Sequence, residues 1–262
     1  MIHCLITIGS DRFEEGMRML EKINPKFVKV HLALRGSAFE NYPKISNVHH
    51  QIWIERATLS QARNLLLKRM ICLSELENLD VVCFADDDGQ WIDDFHIAIL
   101  EAFKNGEKLV LGGYRPLNEN QDFSRFPKEH IANLNLDEIL RITSSLGIYI
   151  RGDIVKEVGL FNENLGLGAN IPVGEDTEYC VRAFKESKGA SYNPTLMQIH
   201  TYGSERKRYE SSISLIWYLV SIDRRIFILA LRRMLGVFRE SPRTSPIKIL
   251  LAAMKGILEG IK

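Results

Sequence analysis

Apolar and polar positions alternate with two different periods along the first 200 residues of this chain. Short runs rich in β-branched and aromatic residues, HCLITIG, FVKVHLAL, HQIWIE, DVVCFA and KLVLGG, predict strands. Between them DRFEEGMRMLEKI, TLSQARNLLLKRMICLSEL and IDDFHIAILEAFKNG return an apolar residue every three or four positions, which predicts helices. Thr58 and Gln61 stand at capping-box spacing and mark the start of the second helix. Gly106 stands where the third should close. A second section, residues 141–200, predicts the strand SSLGIYIR, a short helix, the Gly-rich loop NENLGLGANIPVGED, the helix EDTEYCVRAFKESKG and a last strand ending at His200. Strands alternating with helices in this way predict an α/β layered domain with a largely parallel sheet.

Beyond Tyr202 the pattern changes to helix formers, arginines and large apolar residues, so a boundary is expected near 203, with a helical tail over 204–262. The longest uncharged run there covers residues 211–222, 12 residues. Crossing a bilayer takes about 20 apolar residues, so no span is expected. In the last helix Ile247, Leu250, Leu251, Met254, Ile257, Leu258 and Ile261 share one face, and Lys248, Lys255, Glu259 and Lys262 the other. Two readings fit such a helix: packing on its own domain or on the partner in a homodimer, and lying on an anionic membrane surface.

Composition sharpens this division. The formal net charge is only +1, but residues 205–262 carry 12 Lys or Arg against 5 Asp or Glu, and the rest of the chain 22 against 28. The two parts are therefore expected to meet different partners. Cys4, Cys72, Cys83 and Cys180 are too scattered for zinc spacing or a disulfide framework, which predicts reduced thiols in a cytoplasmic compartment. The opening MIHCLITIGS reads as a first strand rather than a signal peptide.

Four stretches could carry chemistry. The run VVCFADDDGQW ends an apolar strand in three aspartates, and strand alternation would aim Asp86 and Asp88 to one side and Asp87 away. Paired carboxylates at the carboxyl edge of a strand suit a hard cation such as Mg²⁺ or Mn²⁺ completed by phosphate oxygens. The competing reading is a polar turn that caps the following helix. GED at 174–176 opens a helix, where acidic residues are ordinarily stabilising, yet the long loop GLGANIPVG before it suggests a bound ligand. Gly166 and Gly168 are followed by Ile171, not a third glycine, so a dinucleotide fingerprint is absent. Arg63 and Asn64 lie in the first turns of a predicted helix, and His200 ends a predicted strand; either could be structural.

In order and spacing these four stretches together resemble one family, the inverting family 2 glycosyltransferases of the GT-A fold. The matching segments are ARN at 62–64, FADDDG at 84–89, VGLFNENLG at 158–166, GEDTEYCVRAF at 174–184, and His200. The resemblance covers residues 1–203 and implies a GT-A catalytic domain, a mostly parallel central sheet flanked by helices, followed by the helical appendage. It implies transfer of a sugar from a nucleotide diphosphate, with UDP-sugar as donor, to a hydroxyl of a glycan or lipid-linked acceptor in surface polysaccharide synthesis. It further implies Asp88 as ligand of a divalent cation, Mn²⁺ or Mg²⁺, and Asp86 or Asp87 facing ribose and diphosphate. Arg63 would contact the nucleotide, Asp176 act as catalytic base with Glu175 beside it, and His200 complete the metal or diphosphate site. Two departures bear on the donor: TIGSDR keeps Arg12 but places Gly9 where relatives carry a small polar residue, and FVKVHLALRGS lacks an aspartate at the end of the second strand.

The implied setting is the cytoplasm, peripheral on the inner membrane face, with no nucleic-acid partner. A haloacid-dehalogenase-type phosphotransferase would place its DxD near the chain start and continue into Thr, whereas this one begins at Asp86 and continues Gly89, Gln90, Trp91. A Ser-His-Asp hydrolase would need a GxSxG elbow, which is missing. The remaining rival is a catalytically silent sugar-nucleotide-binding subunit of an assembly complex.

Overall fold

Each apolar run becomes a strand and each amphipathic stretch a helix in the computed structural model, which describes residues 1–40, 42–87, 89–116, 126–200, 209–240 and 246–261. The first half runs β1 (Ile2–Gly9), α1 (Phe13–Glu21), β2 (Val28–Arg35), β3 (His50–Ile54), α2 (Leu59–Cys72), β4 (Val81–Asp86), β5 (Gly89–Gln90), α3 (Phe95–Ala102) and β6 (Leu109–Pro116). The second continues α4 (Leu136–Ile142), β7 (Ile148–Arg151), α5 (Gly152–Val158), α6 (Glu175–Ser187), β8 (Ser191–His200), α7 (Tyr209–Ile222), α8 (Phe227–Glu240) and α9 (Pro246–Ile261). The capping box at α2 forms in both directions, Gln61 N–H to Thr58 Oγ1 at 3.2 Å and Thr58 N–H to Gln61 Oε1 at 3.0 Å. The two-residue β5 and the short α4 have too few residues to show a period and escape the sequence pattern.

The strands form one eight-stranded sheet in the order β3-β2-β1-β4-β7-β6-β8-β5. β1, β2, β3, β4, β6 and β8 run the same way, with β7 and β5 reversed. Side chains alternate between two faces, so Leu5, Ala33, Val82, Phe84, Leu111 and Ile150 pack under α2, α4, α5, α6 and α7. Cys4, Ile6, Val30, Leu32, Cys83 and Val110 pack on the other face with Met19 and Leu20 of α1 and Phe95 and Ile99 of α3. Burial on both faces explains why β1 reads as a near-continuous apolar run rather than an alternating one.

Because six strands share a direction, their carboxyl ends, Gly9, Arg35, Ile54, Asp86, Pro116 and His200, gather at one edge. That edge is where open α/β sheets bind ligands. The tail helix α7 is no separate layer: Tyr218 and Leu219 are buried in the main core, and Tyr218 Oη bonds Asn162 Nδ2 at 2.5 Å. Helix α9 packs on α7 through Ile249, Ala252, Ala253 and Gly256; a Cβ on Gly256 would lie 2.0 Å from Ser214 O. Of the cysteines, Cys4, Cys83 and Cys180 are buried, whereas Cys72, at the end of α2, is exposed.

Candidate active site

The aspartate triplet does not cap a helix, since α3 begins only at Phe95, behind Asp94. It lies between β4 and β5, and Asp88 falls outside the described residues. β4 ends at Asp86, and strand alternation ends with it. Asp87 therefore does not point away: its Oδ2 accepts the Gly9 amide N–H at 2.9 Å, and Asp86 and Asp87 line the same cavity. A Cβ on Gly9 would sit 2.7 Å from Asp11 Oδ1 and displace that side chain.

Arg63, expected as a nucleotide contact, is buried. Its side chain is 1% exposed and is absent from the walls of both cavities described below. Its Nη2 donates to Asp86 Oδ1 at 2.7 Å and its Nη1 to Glu175 Oε1 at 3.4 Å. The guanidinium lies 5.6 Å from the Phe84 ring centroid and 5.5 Å from that of Phe161, two rings set edge to face, so its flat cation meets both. Ser145 Oγ donates to the other Asp86 oxygen at 2.5 Å. One buried arginine thus ties the end of β4 to the start of α6.

Glu175 and Asp176 stand in different surroundings. Burial, followed by the neighbouring Asp176 charge, pushes the Glu175 carboxyl up to about 7, against the pull of Arg63. Glu175 also dictates its neighbour across the loop: a Cβ on Gly166, where φ is +97°, would lie 2.9 Å from Glu175 Oε2. Asp176 is half-buried, accepts the Thr177 N–H at 2.7 Å, and faces a cavity.

The other motif residues are the frame. Asn64 donates to Phe161 O and Glu163 Oε1, both at 2.9 Å, and accepts the Phe161 N–H at 2.7 Å. Ser60 Oγ donates to Leu165 O at 2.6 Å. From α6, Arg182 donates to Val158 O at 2.6 Å and Leu160 O at 2.8 Å while paired with Glu178. The segment VGLFNENLG is therefore clamped from both α2 and α6.

Two cavities open at the carboxyl edge. The first, of about 660 Å³, is lined by Thr7, Gly9, Ser10 and Arg12 at and beyond the end of β1, Arg35 at the end of β2, Glu55 and Arg56 after β3, and Asp86, Asp87 and His200. The second, of about 480 Å³, is lined by Ser144, Ser145, Gly174, Asp176 and Thr177, with Tyr114 and, from α7, Ser212 and Leu215. Asp86 and His200 belong to both walls, so the cavities adjoin. Sequence reasoning missed Arg35, Glu55, Arg56 and Ser145. A charged residue at or just past a strand end was the available signal for the first three.

Two of the residues expected at a cation site meet at the first cavity. Asp87 supplies carboxylate oxygen, 21% exposed at the cavity wall, and His200 an imidazole beside it.

Neither a protein-family model nor a curated protein matches the chain. Solved structures do match in fold. A crystal structure of S. aureus TarS residues 1–349 aligns with TM-score 0.69 at 14% identity, over 99% of this chain and 80% of that one. The same fragment in complex with UDP-GlcNAc gives 0.66 at 16%, over 99% and 80%. In complex with UDP it gives 0.60 at 15%, over 85% and 65%. The chain therefore has the TarS glycosyltransferase fold, a mostly parallel sheet flanked by helices with helices at the carboxyl terminus.

Proposed function

We propose that this chain is a metal-dependent inverting glycosyltransferase of the family 2 type, using a UDP-sugar donor. The observation that carries the reading is the pair of adjoining cavities that share Asp86 and His200, with Asp176 on the wall of the second. A donor lies in the first and an acceptor hydroxyl enters the second. The complexes of TarS with UDP-GlcNAc and with UDP support the choice of donor.

Asp176 takes the proton of the acceptor hydroxyl as its oxygen bonds to the anomeric carbon. The bond from that carbon to the diphosphate breaks with its electron pair, the nucleotide diphosphate departs, and the configuration inverts. A single base suffices because no covalent glycosyl-enzyme forms. Asp87, His200 and Asp88 would hold Mn²⁺ or Mg²⁺, which neutralises charge on the departing diphosphate when bound. Arg63 acts through Asp86, holding it at the junction, and Glu175 anchors the first turn of α6 beneath Asp176. Glu55, after β3, offers a carboxylate to the base where the second strand has no aspartate.

Residues 1–203 form the transferring unit, with α7 lending part of the acceptor wall. The remainder of 204–262 docks on an anionic bilayer, at the inner face of the cytoplasmic membrane, where a lipid-linked or glycan acceptor of polysaccharide synthesis is presented. Supporting this, α9 turns its large residues outward: Ile247, Leu250, Leu251, Met254, Leu258 and Ile261 are exposed. Each forgoes about 1.5–3 kcal/mol available on full burial, while Arg224, Arg225, Arg232 and Lys248 are exposed in the same helical region. Among the described residues no helix is long and apolar enough to cross a membrane.

The test is release of nucleotide diphosphate from a panel of sugar nucleotides, with Mn²⁺ and glycan or lipid-linked acceptors, and the anomeric configuration of the product read by NMR. The reading expects a UDP-sugar to be turned over with inversion. Tight donor binding without turnover by any acceptor identifies the silent binding subunit instead.

A further inference from the structure

Parallel pairing brings three histidines together at the opposite, amino-terminal end of the sheet. Leu5 of β1 pairs with His31 of β2, and His31 with His50 of β3. His31 is fully buried on the face covered by α2, and Glu75 follows the end of that helix. One ligand atom from each of His31, His50 and Glu75 lies within 4.8 Å of the others. Glu75 Oε2 is 2.7 Å from His50 Nε2 and 3.3 Å from His49 Nε2.

Hydrogen bonding fixes which nitrogen His31 presents. Asp80 accepts the Met1 ammonium at 2.9 Å and the Glu77 amide N–H at 2.9 Å, so it is a carboxylate and accepts the Nε2–H of His3 at 3.1 Å. With its Nε2–H given to Asp80, His3 has Nδ1 left as an acceptor for His31 Nε2–H at 3.0 Å. A neutral His31 protonated on Nε2 carries its lone pair on Nδ1. That atom is buried and has no hydrogen-bond partner among the described residues. A carboxylate–histidine relay behind a bare imidazole nitrogen is how proteins orient and strengthen a metal ligand.

The geometry points to a Zn²⁺ site formed by His31 Nδ1, His50 Nε2 and Glu75, with the fourth position left to water. Imidazole nitrogens with one carboxylate oxygen are a donor set for this borderline cation. It is distinct from the carboxyl-edge cation, whose surroundings are carboxylate and phosphate oxygen. It pins the short edge strand β3, whose far end leads into Glu55 and Arg56 of the first cavity.

The test is a Co²⁺ titration of the full-length, chelator-stripped protein, reading visible ligand-field bands and their loss on adding Zn²⁺. One equivalent should bind with the intensity of four-coordinate nitrogen and oxygen ligation. Glu75→Gln and His50→Gln should each weaken binding by at least about tenfold, while Asp87→Asn at the other end of the sheet leaves the bands unchanged. Far-UV circular dichroism checks the fold; Glu75 is 20% exposed and tolerates substitution where a buried histidine would not. No bands in the wild type, bands that survive both substitutions in folded protein, or bands abolished by Asp87→Asn would each overturn the site.

Discussion

The two ends of one sheet treat charge in opposite ways. At the carboxyl edge Asp86, Asp87, Asp176 and His200 surround open cavities, with Arg63 buried behind them as a fixed counter-charge. At the amino edge His3 and His31 are fully buried and held neutral in a relay ending on Asp80. The same backbone supplies both. What differs is solvent access: strand ends left open by long loops keep carboxylates wet, and strands covered by α2 strip imidazoles of water. The carboxyl edge thereby keeps its carboxylates at the cavity walls, and the amino edge keeps its imidazoles dry.

The comparison breaks most sharply at Arg63. Replacing it with Met leaves Asp86 and Glu175 facing each other without their cation, and unfolding in urea should show a loss of about 3–5 kcal/mol. Lys at that position should not restore it, because a point charge cannot serve both carboxylates and two aromatic faces. A smaller effect is expected at Glu175. Its folded pKa, about 7, lies above its ordinary 4.5, so the folded chain keeps a proton that the unfolded chain releases. The stability this proton confers is complete below about 4.5 and lost as pH rises through 7. Subtracting the stability curve of Glu175→Gln from that of the wild type should isolate a decline of about 2 kcal/mol between pH 5 and 8. A difference independent of pH would contradict the buried, strained carboxylate. The smallest effect on the fold is expected on α9: Leu250→Ser with Leu251→Ser should leave the melting temperature nearly unchanged, since both are exposed, yet reduce flotation with anionic liposomes. Unchanged flotation, or a dimer that dissociates on substitution, would assign that face to a second copy.

How much of this was legible in the sequence depends on whether a feature is local. The strands, the α2 cap and the order of ARN, DDD and GED follow from short-range pattern. The burial of Arg63 does not, because nothing in LSQARN says which side of the helix meets Phe84 and Phe161. Nor does the cavity wall, which gathers Arg35, Glu55 and Ser145 from three separate segments through strand register. The apolar row of α9 was visible, but its outward direction was not. Ala252, Ala253 and Gly256 decide it, because small residues are what let α9 approach α7 closely. The histidine cluster was invisible for the same reason as the cavity: His3, His31 and His50 become neighbours only once β1, β2 and β3 pair in parallel.

The central claim is that Asp176 faces an acceptor beside a separate donor cavity. Turnover and donor affinity measured together on Asp176→Asn test it most directly. The account predicts that turnover falls by about 10²–10⁴-fold while the Kd for the sugar nucleotide, measured by calorimetry with Mn²⁺, stays within about twofold, because the base acts on the acceptor alone. Turnover close to wild type, or donor binding lost together with turnover, would contradict it.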